Sequence, residues 1–257
     1  MAPTPNGHAI AFQGVTKTFE RHDRSGSFTA VDELSFNVAR GEIVAVLGKT
    51  GCGKSTIFNL IAGLAEPTFG QIAVDGLNPF ADFAGLRGKI GIVFQNDRLM
   101  PWRTALDNVL LGLEILGADR ARSLSVAQDW LAKLGLTGHE HDYPHALSGG
   151  MRQRVSIARA LAVDPTLILC DEPFSALDEM TARHLRAEFL RLVRESEKTA
   201  LFITHSIDEA LEVGDRIMVL HRPARIAFEA EVGGAISPER QKELRERILD
   251  VLRREAE

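Results

Sequence analysis

The sequence predicts an α/β fold, a mainly parallel sheet covered by helices on both faces. Three observations predict it. Apolar runs of strand length alternate with segments whose apolar residues are spaced helically. A glycine-rich loop at 48–55 stands between such a strand and such a helix. An apolar strand at 167–170 ends on two carboxylates, Asp171 and Glu172, at the kind of sheet edge where α/β folds hold ligands.

In chain order, residues 1–8 are polar and rich in Pro and Gly and read as a disordered tail, without the basic and apolar regions of a secretory signal. Strand-like alternation at 9–19 and 34–38 flanks the polar stretch 20–29, which reads as a loop. A short apolar strand at 42–47 enters the glycine-rich loop, and 55–64 reads as a helix. Residues 72–74 form a strand before Asp75-Gly76, a tight-turn pair. The strand 90–94 ends at Gln95. From about 98 to 144 the strand signal disappears, and 106–116 and 123–134 show helical spacing, which predicts a helical insert. A helix at 150–162, a strand at 167–170 and a helix at 181–196 follow. The strand 200–203, a helix at 208–213 and the strand 216–220 complete the core. Ser237 caps a terminal helix with Pro238 in its first turn, and Leu244, Ile248, Val251 and Leu252 make its apolar stripe.

The 257 residues suffice for one large α/β domain or two small ones. A composition of 45% hydrophobic and 25% charged residues is ordinary for a soluble globular protein. The net charge of −5 provides no basic footprint and argues against a nucleic-acid partner. Only two cysteines occur, Cys52 in the loop and Cys170 in an apolar run, which excludes a disulfide framework and fits a reducing compartment. No apolar run approaches the ~20 residues that span a bilayer, so any work at a membrane passes through a partner.

The loop Gly48-Lys49-Thr50-Gly51-Cys52-Gly53-Lys54-Ser55 fits G-x-x-x-x-G-K-[ST] in its strand-to-helix context. Glycines let backbone N–H groups approach phosphates, and the helix N-terminus adds partial positive charge. Lys54 is placed to contact β- and γ-phosphates and Ser55 to ligate Mg²⁺. Asp171 suits the Mg²⁺ shell, and Glu172 suits a general base that polarises water. Downstream, Leu147-Ser148-Gly149-Gly150-Met151 opens a helix and offers a second anion site at its N-terminus.

The two glycine motifs together resemble the ATP-binding-cassette (ABC) family, and the resemblance runs from about 12 to 229. It implies a P-loop NTPase core with an N-terminal antiparallel β subdomain and an inserted helical subdomain at about 98–162. The ATPase domain would take 9–230 and a helical tail 231–257. It implies ATP and Mg²⁺ as ligands, with Thr56 near the α-phosphate and Phe19 stacked on adenine, where many members carry Tyr. Gln95 would meet Mg²⁺ and the water, and His205 the γ-phosphate. Ser175-Ala176-Leu177-Asp178 is similar to the family's D-loop. Ser148, Gly149 and Gly150 would face the γ-phosphate held by an opposing subunit, so that ATP joins a head-to-tail homodimer and hydrolysis releases it.

Within that family, several stretches look like the nitrate/sulfonate/taurine-type importer ATPases: Leu99-Met100-Pro101-Trp102, Met151-Arg152-Gln153-Arg154, Asp171-Glu172-Pro173-Phe174, the run 204–210 and Arg222-Pro223-Ala224-Arg225-Ile226. This resemblance implies a peripheral ATPase on the cytoplasmic face of the bacterial inner membrane. It would serve separate transmembrane permease subunits fed by a periplasmic or lipid-anchored solute-binding protein. Importers of thiamine precursors or riboflavin share much of the pattern. An exporter ATPase, or a soluble ABC ATPase of DNA repair or translation, fits it less well. Trp102 fits helical-subdomain core or a contact with the membrane subunit equally, and Trp130 fits core. His139, His141 and His145 read as a polar loop rather than a metal site.

Overall fold

The computed structural model describes residues 7–20, 26–233 and 236–254. Most of the expected N-terminal tail (1–6) and half of the expected loop (21–25) lie outside these residues. The chain divides into two compact units, Met1–Leu86 with Thr199–Glu257, and Arg87–Lys198.

In the first unit, β1 (His8–Glu20) lies between β2 (Ser27–Ala39) and β4 (Phe69–Val74) in an antiparallel sheet. His8, assigned to the tail from sequence, already belongs to β1. β2 likewise begins at Ser27, inside the stretch read as a loop. Cross-strand pairs explain the extension: Phe19 stacks on Phe28 at 5.6 Å, and the Thr18 and Thr29 hydroxyls lie 3.2 Å apart. Such pairs stabilise a ladder that polar composition disfavours.

The second sheet of this unit has the order β7-β3-β8-β9. β3 (Ile43–Gly48) is buried at every position and runs parallel to β7 (Thr199–Thr204) and β8 (Arg216–His221). This is the continuous apolar pattern of a strand covered on both faces. β9 (Arg225–Glu231) adds an antiparallel edge strand that periodicity did not reveal. Its charged, exposed positions alternate with only half-buried ones.

The helices of this unit are α1 (Lys54–Ile61), α6 (Ile207–Val213) and α7 (Pro238–Arg254). α1 ends three residues earlier than expected. The chain turns at Gly63 (φ +71), where a Cβ would come within 2.2 Å of the Pro79 carbonyl oxygen. α7 starts on the expected cap, with Arg240 N donating to Ser237 Oγ (3.2 Å). Leu244 and Ile248 are buried, while Val251 and Leu252 are half-buried. Arg245 pairs with Asp208 on α6, and His221 Nε2 donates to the Val251 carbonyl (3.0 Å).

Arg216 ties the rim of this sheet together. Its guanidinium donates to Glu42 through Nε (2.6 Å) and a terminal nitrogen (3.0 Å), to the Asn37 carbonyl (2.6 Å), and to Glu229. The two carboxylates hold Arg216 above the ordinary arginine range, the hydrogen bonds to Glu42 being the leading cause. Arg216→Met should cost about 2–3 kcal/mol, because the partly buried Glu42 loses a bidentate partner. A lower urea midpoint at unchanged m-value would show it.

In the second unit, β5 (Ile90–Val93) runs parallel to β6 (Leu167–Asp171). Around them lie α2 (Ala105–Ile115), α3 (Arg120–Lys133), α4 (Gly149–Ala162) and α5 (Glu179–Glu195). Short side chains at the N-caps start these helices. The Thr104 hydroxyl accepts from Asp107 N (3.1 Å) and the Asp119 carboxylate from Arg122 N (2.9 Å). α2 and α3 pack on each other and on α4, as the helical spacing predicted.

Both tryptophans differ from a core assignment. Trp130 is half-buried, with the Lys133 ammonium 4.8 Å from its ring, and Trp102 is 72% exposed. Fully buried Asn108 holds the loop that displays Trp102. Its Oδ1 accepts from Met100 N (2.7 Å), and its Nδ2 donates to the carbonyls of Met100 (3.2 Å), Arg103 (3.1 Å) and Thr104 (2.9 Å).

Candidate nucleotide site

In the first unit the site grows from the end of β3. Leu47 is in register with Thr204 and Gly48 with Leu220, so three parallel strands end on one edge. The glycine-rich loop and His205 both leave from that edge, and the structure therefore brings them together. Gly48 is required by close packing: a Cβ there would lie 2.5 Å from Cys52 Sγ and 2.9 Å from the Leu220 carbonyl oxygen. Cys52 turns its thiol into this contact and is buried. Gly51 (φ +82) and Gly53 (φ +110) take the left-handed conformations that turn the loop. Lys49, Thr50, Gly51 and Ser55 are exposed, and Thr56 is half-buried.

α1 starts at Lys54 behind Gly53, which provides no side-chain cap. Its first N–H groups are thus left to an external acceptor. Lys54 is 8% exposed, and its ammonium donates to the carbonyls of Gly48 (2.5 Å) and Lys49 (3.0 Å). The charge is therefore held inside the loop that the motif assigns to phosphate.

His205 is exposed just after β7, and a Thr204–Ser206–Glu209 hydrogen-bond cluster at the start of α6 fixes its flanks. Ser206 caps α6 by accepting from Glu209 N (3.3 Å). Thr204 Oγ1 donates to Glu209 Oε2 (2.5 Å) and accepts from Ser206 N (3.0 Å). Sequence reading passed over Thr204 and Glu209; the S-x-x-E spacing signals only the Ser206 cap, and Thr204 joins it through the fold. Phe19, 36% exposed, lies against Phe28, with the Lys17 ammonium 5.0 Å from its ring.

In the second unit, Val93 is in register with Cys170, so Gln95 and the Asp171-Glu172 pair emerge side by side from β5 and β6. Gln95 is exposed, and both carboxylates are half-buried. Burial pushes the Cys170 thiol up, with the neighbouring Asp171 charge adding to the effect, so this thiol stays neutral. Glu172 has φ +47, a left-handed conformation that costs a non-glycine residue about 1 kcal/mol and persists where neighbours impose it. Its carbonyl accepts from Ser175 N (3.2 Å) and Ser175 Oγ (3.0 Å). Asp178 caps α5, accepting from Thr181 N (3.0 Å), and the hydrogen bonds from Thr181 hold its carboxyl below the usual range.

Ser148 caps α4, accepting from Met151 N (3.3 Å), with Gly149 exposed and Gly150 half-buried behind it. A Cβ on Gly150 would stand 2.9 Å from Thr181 Cγ2, so the starts of α4 and α5 pack closely. Arg152 and Arg159 of α4 were overlooked as site residues in the sequence. Arg152 donates to Asp97 Oδ2 (3.0 Å) and the Leu147 carbonyl (2.8 Å), and Arg159 to the carbonyls of Asp97 (2.7 Å) and Arg98 (2.8 Å). Together they fasten the loop after Gln95 to the helix that begins with the Ser148 motif.

Ser55 in the first unit and Asp171 in the second each carry an oxygen of the hard kind that Mg²⁺ prefers. Among the described residues no three His, Cys, Asp or Glu side chains gather as a metal site. Mg²⁺ in nucleotide sites takes one or two protein oxygens and completes its shell with phosphates and water. His139 Nδ1 lies 2.6 Å from Asp142 Oδ2 and His145 stacks on Tyr143, so these histidines are engaged within their own loop.

Comparison with known proteins bears on the whole arrangement. The ABC transporter family pattern matches residues 31–175. An uncharacterised ABC transporter ATP-binding protein of Methanocaldococcus jannaschii is 40% identical over 96% of this chain and 92% of its own. A taurine import ATP-binding protein of Burkholderia pseudomallei is 44% identical, over 79% of this chain and 77% of its own. Among solved structures, a dimeric ATP-binding cassette in a post-hydrolysis state bound to ADP and Pi superposes with a TM-score of 0.78. It is 34% identical and covers 88% of this chain and 100% of that one. With one relative matched almost end to end and the family pattern spanning more than half the sequence, the chain belongs to the ABC transporter family as an ATP-binding-cassette ATPase.

Proposed function

We propose that this chain is the ATP-hydrolysing subunit of a bacterial importer for a small solute of the nitrate, sulfonate or taurine kind. It works as a homodimer on separate permease subunits at the cytoplasmic face of the cell membrane, supplied by a solute-binding protein. Residues 9–230 form the ATPase domain, with a helical subdomain at about 98–162. The observation that carries the reading is the grouping of catalytic side chains at strand ends. Lys54 and His205 share one edge, and Gln95, Asp171 and Glu172 share another, with Ser148 opening the helix tied to Gln95's loop. Similarity to a taurine import ATP-binding protein supports import and solute class. Among the described residues no helix is long and apolar enough to cross a membrane, so membrane work on this reading goes through partners. Trp102, displayed on the Asn108-braced loop, suits a contact with such a subunit.

In the mechanism, the loop N–H groups and Lys54 bind the phosphates, with Thr56 near the α-phosphate and Phe19 against the base. Glu172 accepts the proton of the attacking water, while Gln95 and His205 orient the water and the γ-phosphate. Bound Mg²⁺, held by Ser55 and Asp171, would neutralise charge on the β- and γ-oxygens. Ser148, Gly149 and Gly150 of one copy close on the γ-phosphate held by the other, with Asp178 of the D-loop at that junction.

Ser148→Tyr places a bulky group on that surface and is expected to abolish Mg-ATP-dependent dimerisation in sizing chromatography, while one copy still binds ATP. Unimpaired dimerisation would reject the shared site. Co-purification with permease subunits from detergent-solubilised membranes would support the importer. Recovery with ribosomes, or stimulation of turnover by DNA, would overturn it.

A further inference from the structure

We propose that Gln153 is a positioning residue that sets Gln95 and Glu172 relative to one another. The proposal rests on the catalytic roles given above to those two residues. Gln153 lies one turn into α4 and is 4% exposed. Its amide nitrogen donates to the Phe94 carbonyl (3.1 Å) and to the Pro173 carbonyl (2.6 Å). Phe94 immediately precedes Gln95, and Pro173 immediately follows Glu172. An amide nitrogen carries two protons, and here each has a carbonyl from a different catalytic segment.

The two segments need such a brace for different reasons. Glu172 is left-handed at φ +47, and the bonds on the peptides around it keep it so. Ser175 holds the Glu172 carbonyl, and Gln153 holds the next one along the chain. On the other side, the chain leaves β5 at Phe94 and reaches Arg98, also left-handed at φ +47. Arg152 and Arg159 pin the far end of that turn at Asp97 and Arg98, and Gln153 pins its near end. All three braces come from α4, the helix capped by Ser148. A shift of α4 on engagement of Ser148 would therefore be carried by one buried side chain to both the water-orienting amide and the base.

A purely structural amide would only satisfy buried carbonyls, and its loss would lower stability without a specific effect on turnover. The positioning role makes a different demand on the full-length chain assayed with Mg-ATP. Gln153→Leu keeps the volume and removes both donors. It should lower kcat by about 10–100-fold with KM for ATP changed less than about threefold, since small misplacements of catalytic groups cost on that scale. Combined with Gln95→Ala it should add less than about threefold, because residues that act as one unit are not additive. Gln153→Glu turns a donor into an acceptor when ionised and restores one donor when protonated. Its activity relative to the parent should therefore rise as pH falls, and this variant answers the question if Gln153→Leu does not fold.

A folded Gln153→Leu with kcat within about threefold of the parent overturns the proposal, as do fully multiplicative losses with Gln95→Ala. A flat pH dependence for Gln153→Glu, relative to the parent, overturns it as well. Glu172→Gln separates the levels of inference. If that variant retains turnover, the catalytic assignment itself fails. If it is inactive while Gln153→Leu is not, only the positioning role fails.

Discussion

Glu172→Gln is expected to lower ATP turnover by about 10²–10⁴-fold, the contribution of a general base, while leaving ATP binding intact. The substitution is nearly isosteric, so the half-buried position and the left-handed backbone at φ +47 are preserved. An amide cannot take the proton of the attacking water, and chemistry is the step that stops. The change also removes a negative charge beside the place assigned to the γ-phosphate. Like charges at such distances oppose one another, so the nucleotide-bound state should gain rather than lose stability. The variant should accordingly accumulate as an ATP-bound dimer in sizing chromatography. Steady-state phosphate release gives the rate, and turnover at the parent's rate would remove Glu172 from the catalytic role. Altering Asp171 instead should weaken the Mg²⁺ dependence of binding, a different signature that separates the neighbouring carboxylates.

What was legible in the sequence was whatever local chemistry determines. The passage from β3 through the glycine-rich loop into α1 could be read because an all-apolar strand, glycines at forced turns and a lysine-serine start each leave a mark on single positions. The apolar spacing of α2, α3 and α5 and the Ser237 cap of α7 were likewise local. β9 was hidden because an edge strand with one exposed face carries charges at alternate positions and lacks a strong apolar signature. Trp130 was misplaced toward core, and Trp102 left open between core and contact, because periodicity reports a face of a helix and not what covers that face. The left-handed backbone of Glu172 and the paired hydrogen bonds of Gln153 were out of reach for a further reason. Both involve the buried Gln153 amide, which reaches carbonyls 20 and 59 residues away. Sequence named the candidate groups, and the contacts that hold them appeared only with the fold.

Lys54→Met should reduce ATP affinity by about 10²–10⁴-fold with little change in folding stability. A hydrogen bond from a charged donor is worth about 1.5–3 kcal/mol, and an ammonium that meets both β- and γ-phosphates makes two of them. The expected neutrality of the fold follows from opposing terms. Methionine forfeits the bonds to the Gly48 and Lys49 carbonyls at 2.5 and 3.0 Å, which loosens the loop. It also removes a charge held at 8% exposure, whose desolvation had opposed folding, and it fills the same space with a flexible apolar chain. Lys54→Arg is not a conservative control. The planar guanidinium is larger than the ammonium and cannot reproduce its compact fit against the Gly48 and Lys49 carbonyls, so this variant should also bind poorly. Calorimetric titration with ATP, beside a thermal melt of each variant, separates affinity from stability. If Lys54→Met folds normally and still binds ATP with the parent's affinity, the phosphates do not lie in this loop, and the placement of His205 on the same strand edge loses its catalytic meaning.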